Sequence, residues 1–69
     1  MLDNWDKIYD TFYEHRAEIV RENLLLQDID AVIINKKDSN YQIGRYEVYV
    51  PKEDTEKAKS LIENDLTFE

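Results

Sequence analysis

The chain has 69 residues, 16 acidic against 9 basic side chains, a formal net charge of −7, one histidine and no cysteine. One domain spanning residues 1–69, ordered from about 5 to 66, is what this length can build, and disulfide staples and thiolate metal sites are excluded. A domain of roughly 60 residues buries only about 60% of its unfolded surface, so association with a second subunit is a natural source of further stability. The acidic balance disfavours nucleic acid, and no apolar run approaches the ~20 residues that cross a bilayer, so no membrane partner is expected. With a polar segment at residues 1–6, the expected location is the cytoplasm.

In chain order, residues 7–12 are aromatic, β-branched and roughly alternating, which predicts a first strand. Thr11 stands three residues before Glu14, the spacing of a capping box, so a helix is expected from as early as Phe12. Ala17, Val20 and Leu24 recur at helical spacing with Glu14, Glu18, Arg21 and Glu22 on the wet side, and this helix is expected to end near Gln27. Asp28 then falls where glycine usually adopts the left-handed conformation.

Ala31-Val32-Ile33-Ile34 is a continuous β-branched run and predicts a second strand that is apolar on both faces. Which of the pairs Val32/Ile34 and Ala31/Ile33 points inward is left open by the pattern. A long polar hairpin connection reaching Gly44 precedes a third strand at residues 46–50, where Tyr46, Val48 and Val50 alternate with Glu47 and Tyr49; Pro51 ends it. Asp54 is placed to cap a second helix running to about Asn64, with Ala58, Leu61 and Ile62 as its buried stripe. Residues 66–68 are read as a frayed tail or the stub of a fourth strand.

The order βαββα predicts an α+β two-layer sandwich of the split βαβ, ferredoxin-like kind, with a three-stranded sheet and both helices on one face. The runs Ile8-Tyr9-Asp10-Thr11-Phe12-Tyr13-Glu14-His15-Arg16-Ala17-Glu18-Ile19-Val20, Ile29-Asp30-Ala31-Val32-Ile33-Ile34-Asn35-Lys36-Lys37-Asp38-Ser39 and Glu47-Val48-Tyr49-Val50-Pro51 resemble the small bacterial proteins grouped as prokaryotic signal-transducing proteins. The likeness extends from Trp5 to Ile62. It implies a ferredoxin-like domain related in shape to the PII regulators, with no established activity, ligand or catalytic residue. Members usually carry glycine at the place of Asp28 and polar residues at those of Leu25 and Leu26.

The inventory for catalysis is nearly empty, because an activated nucleophile needs a base and an orienting group, and with no cysteine and one histidine the serines Ser39 and Ser60 read as part of an ordinary polar turn and a helix surface. His15, Glu18 and Glu22 share a helical face, a spacing that also belongs to an ordinary solvated surface, so no metal and no cofactor are expected. The leading expectation is a non-enzymatic regulatory, signal-transducing or protein-interaction module that forms a homodimer or docks a protein partner. Its contact surface would be the uncovered sheet face and the first-strand edge, with Tyr9, Ile33, Tyr49, Leu25 and Leu26 as the interface residues. The alternative is a small-ligand or nucleotide sensor built on the basic hairpin through Lys36, Lys37, Arg45 and Tyr41, with Lys52 and Tyr46 nearby.

Overall fold

The structure is a computed structural model that describes residues 3–38 and 43–65. Strand β1 (Trp5–Thr11), helix α1 (Glu14–Leu26), strands β2 (Val32–Asp38) and β3 (Ile43–Pro51) and helix α2 (Thr55–Asp65) follow in βαββα order, with a 3-10 turn at Lys52–Asp54 before α2. The expected stub at 66–68 lies outside the described residues.

The three strands form one sheet of order β1-β3-β2. β3 runs antiparallel to both neighbours, so β1 and β2 are parallel to each other with β3 filling the gap between them, the split βαβ arrangement. The hairpin ladder is longer than composition predicts. Lys36 pairs with Arg45, Lys37 with Gly44 and Asp38 with Ile43. Lysine, asparagine and aspartate have weak strand propensity, but a partner strand already aligned overrides it.

Leu24, Val20 and Ala17 of α1, Ala58 of α2, Ile29, Ala31, and Val48 and Val50 of β3 are the buried residues of a single core, with Tyr9, Ile33 and Tyr46 packed against it. Val48 and Val50 lie on one side of β3 by the two-residue alternation of strands. Ile33 is the register partner of Val48 and therefore shares its side. The open choice at β2 is thus decided: Ile33 faces the core, and Val32 and Ile34, the partners of Tyr49 and Glu47, lie on the opposite face. Ile33 as an outward interface residue is corrected accordingly.

Tyr9 is corrected for a related reason. β1 pairs Lys7 with Tyr49 but Tyr9 with Val48, so Ile8 is an extra residue at a β-bulge. The bulge inverts the alternation of β1. Lys7 and Asp10 both lie on the face away from the core, while Tyr9 and Thr11 lie on the side of Val48 and Tyr46.

The helix ends follow local chemistry. α1 begins at Glu14 with Tyr13 as its N-cap residue and no side-chain cap. The expected capping box does not form, because Thr11 closes β1 and its Oγ1 accepts a hydrogen bond from the Tyr13 amide at 3.2 Å instead. At the other end, the Asp28 amide donates to the Leu25 carbonyl and the Ile29 amide to the Leu24 carbonyl, each at 3.0 Å. These are the two bonds of a Schellman motif. Asp28 takes the left-handed conformation (φ 63°) that the motif demands, as the sequence predicts for it. Leu24 and Ile29, both buried, supply the apolar contact that accompanies such a cap. Beyond Pro51, the Lys52 amide donates to the Asn4 carbonyl (2.8 Å) and Thr55 Oγ1 donates to Asp6 Oδ2 (2.9 Å), which ties the start of α2 to the start of β1.

Candidate functional site

The face of the sheet away from the core, called the open face below, carries a connected set of polar side chains. Alternation along β3 places Arg45, Glu47 and Tyr49 there, and the ladder adds Val32, Ile34 and Lys36 from β2 and Lys7 and Asp10 from β1. Trp5, partner of Pro51, stands at the end of the same face.

Glu47 is its centre. Although it lies on the middle strand of an open face, only 6% of it is exposed. Long side chains from both flanking strands and its own strand close over it. Tyr49 Oη donates to Glu47 Oε1 at 2.9 Å, Lys36 Nζ lies 3.5 Å from the same oxygen, and Lys7 Nζ lies 3.5 Å from Oε2. Lys7 Nζ also reaches Asp10 Oδ2 at 3.4 Å, and Arg45 Nη1 stands 3.7 Å from that oxygen. One connected array of alternating charge therefore runs from β1 across β3 to β2.

Burial alone would push the Glu47 carboxyl up, but the Tyr49 hydroxyl and the Lys36 and Lys7 ammonium groups outweigh it and hold it below the ordinary value of 4.5. The hydrogen bond to Asp10 and the charge of Glu47 raise Lys7. The Tyr49 hydroxyl is raised by its bond to Glu47 and by burial. All three shifts favour the paired state: carboxylate, ammonium and neutral phenol.

Other clusters are simpler. In the turn between β1 and α1, the Arg45 guanidinium lies 5.1 Å from the centre of the Phe12 ring and that of Arg16 lies 5.0 Å from the centre of the Tyr13 ring, both cation–π distances. At the far end of the sheet, Asn4, Trp5, Asp30, Pro51, Lys52 and Glu53 line a shallow depression. On α1 the Arg21 Nε is shut away from solvent with no hydrogen-bond partner among the described residues. His15, Glu18 and Glu22 are exposed, and no group of metal-ligating side chains occurs among the described residues. No helix among the described residues is long and apolar enough to cross a membrane.

The five expected interface residues do not meet on one surface. Tyr49 is on the open face, Tyr9 and Ile33 are on the core side, and Leu25 and Leu26 are exposed at the C-terminal end of α1. Leu26 and Ile19 lie seven residues apart on the helix side away from Ala17, Val20 and Leu24. Of the expected ligand-binding set, Lys36 and Arg45 are register neighbours on the open face, but each already stands beside a carboxylate, Glu47 and Asp10 respectively. Lys37 pairs with Gly44 in the ladder, and Tyr41 lies outside the described residues.

The residues that sequence reasoning missed are Lys7, Asp10 and, above all, Glu47; Val32 and Ile34 were one of the two pairs left open for the outer face. The signal for Glu47 was a single carboxylate set among Tyr46, Val48, Tyr49 and Val50, where strand propensity gives it no place of its own. No family model, no curated protein and no solved structure matches the chain.

Proposed function

We propose that the chain is a non-enzymatic regulatory module that docks a protein partner on its open sheet face. The observation carrying this reading is the pairing of half-buried apolar side chains, Val32, Ile34 and Tyr49, with a preformed, internally neutralised charge array around Glu47. Interfaces join apolar area to fixed polar groups in this way, and groups already held in place lose little freedom on binding. The array also selects the partner. Lys7, Lys36 and Arg45 stand against Asp10, Glu47 and, at the end of the face, Asp30, so charges of both signs balance there on a chain whose total is −7. A partner presenting aliphatic side chains and fixed polar groups of both signs fits that surface. A signal-transducing role of the PII-like, bacterial kind, implied by the resemblance, is consistent with such docking and belongs to the same proposal.

Photo-crosslinking from the face tests it. A photoreactive residue at Val32 or Ile34 is expected to capture the same partner, with capture lost on Tyr49→Glu and none from a probe at the exposed Lys59 of α2. Equal capture from Lys59, or none from either sheet position, refutes the reading. The sensor alternative fares less well because the charges of Lys36 and Arg45 are already engaged. A thermal-shift screen with nucleotides and divalent cations should be flat, whereas a ligand at about 100-fold its Kd would add about 2.7 kcal/mol.

A further inference from the structure

The sheet has two outer strands, and they are unlike. β1 carries the bulge at Ile8, a device that breaks the regular spacing of backbone groups along an edge. β2 pairs one-to-one with β3 from Val32 to Asp38, so among the described residues its outer side is an uninterrupted row of backbone donors and acceptors. Such a row is a template for another strand.

A second copy of the same strand, added antiparallel about a two-fold axis perpendicular to the sheet, must oppose residues of the same face. Few registers satisfy that condition. Asp30 is exposed two residues before β2 and lines one depression with Trp5 and Pro51 of the open face, which places it at the end of the row Val32, Ile34 and Lys36. Centred on Ile33, the pairing sets Asp30 opposite Lys36 of the second copy and Val32 opposite its Ile34, each occurring twice, with Ile33 opposite itself. Centred on Ile34, it would set Asp30 against Asp38 and Val32 against Lys36. Centred on Val32, it would set Asp30 against Ile34. Charge and apolarity match in one register alone.

We infer that the outer edge of β2 is a homodimer interface, in which two copies join through the register centred on Ile33 into one six-stranded sheet. Lys36 then stands between Glu47 of its own chain and Asp30 of the second copy, so the two charge arrays become continuous. The inference is independent of docking on the open face, and it names a different surface and a different partner.

Sedimentation or light scattering across a concentration series, with folding checked by circular dichroism, tests it. The full chain should dimerise at high micromolar concentration. Asp30→Lys and Lys36→Asp should each weaken the dimer roughly tenfold or more by opposing like charges twice. An equimolar mixture of those two variants should restore dimers, because every cross-edge pair is then matched, as should the Asp30→Lys/Lys36→Asp double variant. Hydrogen exchange of the amides in β2 should slow with concentration while that in β1 does not. A monomeric full chain, a dimer indifferent to both single variants, or a mixture that stays monomeric overturns the inference.

Discussion

At its centre β3 excludes water from both faces, by opposite means. On one, Val48 and Val50 are fully buried under apolar side chains of α1 and α2. On the other, Glu47 is nearly as inaccessible, yet what stands against it is the ammonium groups of Lys7 and Lys36 together with the Tyr49 hydroxyl. Long basic side chains commonly lay their methylene stems across neighbouring groups while the ammonium stays wet. A sheet of three strands thus protects its middle strand on both sides with a layer of helices required on only one. The lesson concerns sensitivity: the apolar side depends on volume, and the polar side on ionisation.

The largest effect is expected from the apolar side. Leu24→Ala removes a fully buried side chain that also closes the Schellman motif, and should cost about 3 kcal/mol in urea unfolding. If the loss stays under about 1 kcal/mol, the core is not the volume-limited layer described here.

On the polar side, Glu47→Gln should cost about 1.5 kcal/mol near neutral pH, since it replaces a charge-assisted bond within a closed site. Its pH dependence is the sharper test. The folded carboxyl titrates below 4.5, so the unfolded chain takes up the proton first as acid is added. The stabilisation is complete above that value and is lost as pH falls through the folded one. The advantage of the native chain over Glu47→Gln should therefore shrink as pH falls through and below 4.5, and taking the difference cancels the relief of net charge that acid brings to both. An advantage constant over that range would show that Glu47 is held by shape alone.

A smaller gain is expected away from both faces. Asp28→Gly removes the cost of a left-handed side-chain-bearing residue and should stabilise by about 1 kcal/mol. At the rim, Arg45 and Asp10 are each close to half exposed, and Arg45→Met should shift stability by no more than about 0.5 kcal/mol, a change that added salt erases. A loss approaching that of Glu47→Gln would mean that the rim pairs are coupled to the centre.

Much of this fold was legible in the residues. The alternation of Tyr46, Val48 and Val50 located the core side of β3, the spacing of Ala17, Val20 and Leu24 located that of α1, and the end of α1 was marked by Asp28. These are one-body signals, set by period and by local backbone chemistry. The rest depended on what lay opposite. A bulge adds one residue without a compositional mark, so Ile8 gave no sign that Lys7 and Asp10 would share a face or that Tyr9 would turn inward. Val32 and Ile34 could not be separated from Ala31 and Ile33 because all four are small or branched hydrophobes, and only the register against Glu47 and Tyr49 distinguishes them. Thr11 has the spacing of a capping residue, but the Tyr13 amide lies nearer in the chain and takes its hydroxyl first.

The extra residue at Ile8 has one more consequence, which concerns growth. A sheet with two plain rims can add neighbours without limit, whereas one plain rim and one kinked rim permit a single union and then stop. Shortening β1 by that one residue would straighten its rim, and the expected product is no longer a closed pair but an open-ended ribbon.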